Sequence, residues 1–241
     1  QDRLCVNIPP RHGKSQLVSI YFPAWFIGKY PNKKVMMVSH TTDLAVDFGR
    51  KVRNIIDTEA FRQIFPALTL AADSKSAGRW NTNMGGEYYA CGVGSALAGR
   101  GADLLLVDDP HSEQDVLNGN FEVFDKAYEW FTYGARTRLM PGGRVAIIQT
   151  RWHLGDLTGR VIKDMAAGAD KYEVVEFPAI LDLPGPTNPS KTIQKPLWPE
   201  FFDLEALNRI KMGMPLFQWN AQYQQQPTAE EAAIVKREWW N

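Results

Sequence analysis

Lys14 and Ser15, in the stretch Pro9-Pro10-Arg11-His12-Gly13-Lys14-Ser15-Gln16, are the residues through which this chain would handle phosphate. The stretch lies between a buried strand-like run, 4–8, and an apolar helical one. At such a junction backbone N–H groups and the positive end of the helix dipole hold an anion. Lys14 would reach the β- and γ-phosphates of a nucleoside triphosphate, and Ser15 would offer its hydroxyl to Mg²⁺. Ile8 stands where the usual nucleotide-binding loop has its first glycine. That position serves loop geometry, which the rigidity of Pro9-Pro10 can supply instead. Arg11 adds a cation. Stripped of its flanks, the tripeptide is a helix start with a solvated lysine.

Two acids supply the complementary chemistry. In "LLLVDDP" the apolar run 104–107 ends on Asp108 and Asp109. A strand of that kind delivers carboxylates to the C-terminal edge of a parallel sheet, where ligands of open α/β folds bind. Asp108 is then the Mg²⁺-holding acid, and Asp109 the general base that polarises the attacking water. Glutamate is the commoner base, and aspartate is one methylene shorter. The alternative is an acid pair that caps the following helix. A third strand-like run, "AIIQTRWH", carries Gln149 and Thr150 to the same edge. Side chains there can sense a γ-phosphate and pass its loss onward, with Arg151 and His153 in similar positions. A packed Arg–Trp pair with a buried histidine is the competing account, and no second His or Cys is spaced to make His153 a metal ligand. Arg100, in the glycine-rich "LAGRGAD", is an arginine-finger candidate for its own or a neighbouring subunit's phosphate. It can equally be a plain loop arginine, and Arg79 is a weaker competitor.

These residues need a scaffold of alternating strands and helices. "LCVNI" and "KKVMMVSH" read as buried strands, with a helix between them that Pro23 kinks or segments. Leu44, Phe48, Val52 and Ile55 recur at helical spacing after a cap at Thr41, Thr42 or Asp43. A hairpin follows, with strands 79–83 and 87–93 turning at Met84-Gly85-Gly86. Beyond the acid strand come a long helical region 113–139, a turn "MPGG", a strand 144–150, a helix 154–168 and a strand 172–180. The class is α/β, a mostly parallel sheet with helices on both faces. Residues 1–180 form the core. After Ile180 the composition changes: five of the fifteen prolines fall in "LDLPGPTNPSKTIQKPLWPE", followed by short helices from Asp203 and Pro215. Residues 181–241 are too few for an independent core and read as a lid or linker subdomain.

The 241 residues, 44% of them hydrophobic, suffice for a large α/β domain and exclude disorder. Lysine plus arginine and aspartate plus glutamate are equal at 27 each, so any nucleic-acid contact is a local patch or a shared ring of subunits. Candidate patches are Lys33-Lys34, Arg50-Lys51-Arg53 and Arg136-Arg138, with the region 136–144 preferred for a DNA pore. Cys5 and Cys91 lie in apolar runs, as buried free thiols of a reducing compartment do. No signal peptide or 18-residue apolar run occurs, so a soluble cytosolic protein is expected. The chain starts at Gln1 and stops in "VKREWWN", which reads as a piece of something longer.

In order along the chain, "PPRHGKS", "GRGADLLLVDDP", "TRWH" with "DLTGR", "PLWPE" and "FQWNAQYQQQP" resemble the large terminase subunit of tailed bacteriophages and prophages, over about residues 5–227. The resemblance implies a RecA-like P-loop ATPase of the additional-strand class. It would use ATP and Mg²⁺ to drive double-stranded DNA into a procapsid, as a ring of five subunits on the portal protein, with a small terminase subunit, in the host cytoplasm. It assigns Lys14 and Ser15 their usual roles, Arg11 the loop cation, Asp108 the metal, Asp109 the catalytic acid, Thr150 the coupling motif and Arg100 a trans-acting arginine. It places the adenine-contacting segment before Gln1 and the acids of an RNase H-type nuclease after Asn241, so no nuclease activity is expected. The residues alone also admit a helicase-like translocase, a small-molecule kinase or a non-enzymatic nucleotide-binding scaffold. A helicase needs a second sheet domain, and kinases rarely carry two strand-end acids with a sensor strand.

Overall fold

The computed structural model describes residues 3–72, 76–184 and 192–228. Seven strands form one sheet: β1 (Arg3–Asn7), β2 (Lys34–Ser39), β3 (Arg79–Asn81), β4 (Glu87–Gly92), β5 (Ala102–Asp108), β6 (Leu139–Gln149) and β7 (Glu173–Glu176). Their order is β3-β4-β2-β5-β6-β1-β7, and every pairing is parallel except β3 with β4. This is a P-loop, RecA-like arrangement: β6 is the additional strand, wedged between the strand that feeds the Gly13-Lys14-Ser15 loop and the strand that ends in Asp108. β2 and β5 are central because their apolar runs can be buried on both faces: Val35 to Val38 and Leu104 to Val107 are all at most 1% exposed.

Helices cover both faces. A π-helical stretch, Gln16–Tyr21, runs into α1 (Phe22–Lys29), with Pro23 in the first turn, so the helix is segmented where the proline sits. α2 (Thr42–Ile56) is capped by Thr41, whose hydroxyl accepts from the Leu44 N–H at 3.3 Å, and α3 (Glu59–Ile64) follows. Ile20, Phe26, Ile27, Phe48 and Val52 pack on Val35, Met37, Leu104 and Leu106. The other face carries α4 (Glu113–Leu117), α5 (Glu122–Glu129) with a π-helical extension Trp130–Ala135, and α6 (Leu157–Ala166). There Phe131, Ala135, Leu157 and Val161 meet Met36, Val38, Leu105, Val107 and Ile147.

Three elements differ from the sequence reading. The single helix expected over 113–139 is broken by Asn118-Gly119-Asn120, where Gly119 takes φ +75° and ends α4. "MPGG" is a bulge inside β6 rather than a turn before it: Leu139 pairs with Ala102 and Arg144 with Leu104, so the residues between bow out, with Gly142 at φ +75°. The proline-rich tail holds an unforeseen antiparallel pair, β8 (Ile180–Pro184) and β9 (Thr192–Pro196), before α7 (Leu204–Met212) and α8 (Leu216–Gln222). Prolines at the strand ends, where no ladder N–H is needed, are compatible with that pairing. Its linking residues 185–191, and 229–241, lie outside the described residues. A small cluster of Ala179, Ile180, Leu207 and Trp219 holds these pieces together. Among the described residues no helix is long and apolar enough to cross a membrane.

The start of α6 is the tightest junction near the C-terminal sheet edge. Asp156, fully buried, caps Gly159 N–H at 2.9 Å and receives Arg151 Nε at 2.9 and 3.1 Å. Buried His111 accepts the Leu157 N–H on Nε2 at 2.9 Å, which requires a neutral ring. Burial pulls its pKa from 6.5 down to about 4. Above pH 6.5 the ring is neutral folded and unfolded, so this packing contributes in full. Between pH 6.5 and about 4 only the unfolded chain takes the proton, so stability falls with pH by up to roughly 3 kcal/mol. Urea midpoints at pH 7.5 and 4.5 should therefore differ more for the parent than for His111→Gln. A Cβ on Gly159 would stand 2.0 Å from the Leu154 carbonyl oxygen. Gly159→Ala should cost about 1–3 kcal/mol in urea denaturation at neutral pH.

Candidate active site

The loop after β1 turns through left-handed backbone at Arg11, φ +58°, and Gly13, φ +80°, and the helix begins where Leu17 N–H donates to Gly13 at 3.0 Å. A side chain at φ +80° is strained, so glycine belongs at position 13. Pro9 is buried, Pro10 lines the site cavity, and the exposed Arg11 and Gln16 flank the turn. His12 is buried, donates its Nδ1–H to the Pro10 carbonyl at 2.8 Å, and stacks on Phe202 from the C-terminal region at 5.1 Å.

Lys14 reaches across to the acid strand, with Nζ 2.7 Å from Asp109 Oδ2. Burial works against its charge, but Asp109, Asp108 and Glu113 together hold the ammonium above the ordinary lysine pKa. Asp109 itself has φ +42° and accepts the Thr150 N–H on Oδ1 at 2.9 Å, so both of its oxygens are engaged. Asp108 is 1% exposed; its Oδ2 accepts from Ser19 Oγ at 2.5 Å, while Oδ1 is buried without a partner. Burial first, then Asp109, pushes its carboxyl up to about 7, against the pull of Lys14 and the Ser19 and Ser15 hydroxyls.

The residues suit a divalent cation. The orphaned Asp108 oxygen beside the Ser15 hydroxyl is a hard-oxygen pair of the kind that holds Mg²⁺ together with phosphate and water. Among the described residues no group of three or more His, Cys, Asp or Glu could hold a metal ion. At the end of β6 Gln149, 1% exposed, has both amide atoms buried and unpartnered. Thr150 ties β6 to the loop through its hydroxyl, which donates to the Ile8 carbonyl at 3.3 Å. A cavity of about 180 Å³ opens over this cluster, walled by Pro10, Lys14, His40, Asp109, His111, Glu113, Thr150, Trp152 and Gln222. The larger cavity of about 550 Å³ is an apolar groove between Leu4, Leu104 and the Tyr21–Trp25 side of α1, away from every one of these groups.

Lys14, Ser15, Asp108, Asp109, Gln149 and Thr150 thus share one sheet edge. Arg151 and Arg100 do not join them. The Arg151 guanidinium turns to Asp156 at 2.9 Å and Glu176 at 3.3 Å, an internal ion pair that anchors α6. Arg100 precedes β5, whereas Asp108 ends it, and a strand of seven residues separates them by roughly 20 Å. Its guanidinium bonds Glu87 at 3.1 Å and lies 4.3 Å from the centre of the Tyr89 ring; Arg79 pairs with the same Glu87. His153 stacks on Phe121 and Phe124. The basic patches are largely neutralised: Lys33 by Asp103, Arg50 and Lys51 by Asp47, Arg136 by Asp170. Both cysteines are buried free thiols whose pKa values burial pushes up to about 12. Sequence reasoning missed Ser19, His40, His111 and Glu113. Ser19 lies one helical turn after Ser15, a spacing that would have found it.

Residues 5–119 match the family model described as the terminase large subunit, T4-like virus type, N-terminal. A search of the curated proteins gives no match. Among solved structures, a point mutant of the large terminase ATPase domain of Thermus phage P74-26 superposes with a TM-score of 0.56 at 17% identity, covering 94% of this chain and 89% of that one. The unmutated domain gives 0.55 and 16%, with the same coverage. The large terminase of a thermophilic bacteriophage, solved with ATP-gamma-S, gives 0.56 at 11% identity over 93% of this chain, which spans only 47% of that protein. These likenesses show the fold. Over residues 5–119, just under half of its length, the chain is similar to the large terminase subunit family.

Proposed function

We propose that the chain is the ATP-hydrolysing motor domain of a terminase, moving double-stranded DNA into a procapsid. The observation that carries this is the convergence of Lys14, Ser15, Asp108, Asp109 and Gln149-Thr150 on one sheet edge. Lys14 leaves Asp109 for the β- and γ-phosphates of ATP. Mg²⁺, held by Ser15 and Asp108, supplies charge neutralisation at the phosphate oxygens. The amide of Gln149, without a protein partner, addresses the γ-phosphate. The cavity of about 180 Å³ is below the usual size for a whole ligand pocket and suits the polyphosphate end alone.

Loss of the γ-phosphate is felt through Thr150, which is bonded both to Asp109 and to Ile8. From there the Arg151 N–H donates to Gln225 Oε1 at 3.1 Å, just beyond α8. Residues 181–241 act as the lid that receives this movement. DNA, the portal protein, the small terminase subunit and a ring of five protomers in the host cytoplasm are the assembly in which it works. Arg100 is too far from its own chain's site to act there. Its trans-acting role would be exercised on a neighbour's phosphates and would require release from Glu87.

The test is ATP turnover with and without linear double-stranded DNA, for the parent and for Lys14→Ala. The parent should turn over ATP slowly when dilute and monomeric, and faster with DNA. Lys14→Ala should lose roughly 100- to 1,000-fold. An inert parent, or a variant as fast as the parent, would overturn the reading.

A further inference from the structure

Resting on that reading, we infer that Glu113, rather than Asp109, is the carboxylate that activates the attacking water. Asp109 is the acid the sequence pattern nominates, yet its place in the structure is that of a tether. Oδ2 is 2.7 Å from Lys14 Nζ and Oδ1 takes the Thr150 N–H at 2.9 Å. Its backbone is fixed as well, with the N–H donated to the Ile148 carbonyl at 2.8 Å and the carbonyl accepting from His40 N–H at 3.3 Å. Transfer of Lys14 to a phosphate frees one oxygen, but the other stays bonded to β6. The short side chain, on a left-handed backbone at φ +42°, has little freedom to follow a water molecule.

Glu113 has what Asp109 lacks. The chain doubles back after Pro110, with His111 buried against α6 and Ser112 capping α4 through the Asp115 N–H at 3.2 Å. That turn sets Glu113 in the wall of the same cavity as Lys14, Asp109 and Thr150, near enough for its charge to act on the Lys14 ammonium. Among the described residues its carboxylate has no hydrogen bond or ion pair. It is exposed on its outer side, so a captured proton has a route to solvent. His40, whose Nδ1 is buried without a partner, lines the same cavity.

In the step assigned here, the water oxygen forms a bond to the γ-phosphorus while the bond from that phosphorus to the β,γ-bridging oxygen breaks. The electron pair leaves with ADP. One water proton passes to the Glu113 carboxylate and from there to bulk solvent, so no further reactant is needed. Asp109 is a positioning residue in this scheme, holding Lys14 and β6 in register until the phosphate takes the lysine.

The experiment compares Glu113→Gln, Glu113→Asp and Asp109→Asn with the parent, measuring MgATP turnover and the affinity for a fluorescent ATP analogue in the presence of double-stranded DNA. Glu113→Gln should lower kcat by about 100-fold or more with nucleotide affinity unchanged, and Glu113→Asp should recover part of it. Asp109→Asn should disturb affinity as well as turnover, because it releases Lys14. Parental kcat in Glu113→Gln, while Lys14→Ala is dead, would overturn the inference and leave the ATPase reading standing. An inactive parent would overturn both.

Discussion

The carboxylate of Asp109 is the constraint on which the site depends. It joins Lys14 of the phosphate loop to the end of β6 while itself standing at the end of β5. Its left-handed backbone, φ +42°, is a conformation that a non-glycine residue adopts only when its surroundings enforce it. The enforcement is visible in four bonds: two at the carboxylate, to Lys14 and Thr150, and two at the backbone, to Ile148 and His40. Removing one partner of a buried ion pair costs several kcal/mol because the remaining charge is left uncompensated. Here the cost is smaller, since the Asp109 side chain is 30% exposed and water can take part of the load. That is what a switch requires. In the function proposed, a pair of that strength orders the loop and can be exchanged for a phosphate.

The neighbouring Asp108 shows the opposite arrangement. It is almost wholly buried, one oxygen satisfied by Ser19 and the other by nothing. An unmet carboxylate oxygen in the interior is unfavourable unless a ligand completes it. The same holds for the Gln149 amide, buried with neither atom paired. Both stand at the C-terminal edge of a parallel sheet, the edge where ligands of open α/β folds bind. Stability has been sacrificed locally for that purpose. The surrounding apolar strands, Val35 to Val38 and Leu104 to Val107, supply the rigidity that tolerates it.

Much of the scaffold was legible because it is written in short-range pattern. The continuous apolar runs of β2 and β5 have one solution, a strand buried on both faces, and the Thr41 cap and the Met84-Gly85-Gly86 turn are local chemistry. What was not legible depended on partners far along the chain. "MPGG" is a turn in isolation; only pairing with Ala102 and Leu104 makes it a bulge. β8 and β9 are disguised by prolines that a strand end accepts. In the site, Lys14, Ser15 and Asp108 declare themselves through motif and placement, whereas Glu113 and His111 are brought in by a reversal after Pro110 that no periodicity reports. Arg100 is a different case. The sequence already placed a strand between it and Asp108, and a strand carries its two ends to opposite edges of the sheet. That separation leaves only the neighbouring subunit's phosphate among the two targets its loop position admits.

The C-terminal region touches the site at two independent points, and their positions decide how a change there would travel. Phe202 stacks on His12, and the Trp198 ring lies 3.8 Å from where a Cβ on Gly13 would be, so one contact rides on the phosphate loop. The other, Gln225 to the Arg151 N–H, rides on the end of β6. Asp109 holds those two supports together through Lys14 and Thr150. When Lys14 is drawn to a phosphate, the loop and β6 lose that shared tie and stay joined through Thr150–Ile8, Ile8–Gln149 and the β1–β6 ladder. The two footings of the C-terminal region then move with different partners, and a body standing on both must tilt. A single contact would transmit only a translation. With two, the exchange of that ion pair for a ligand would turn the C-terminal region as well as shift it.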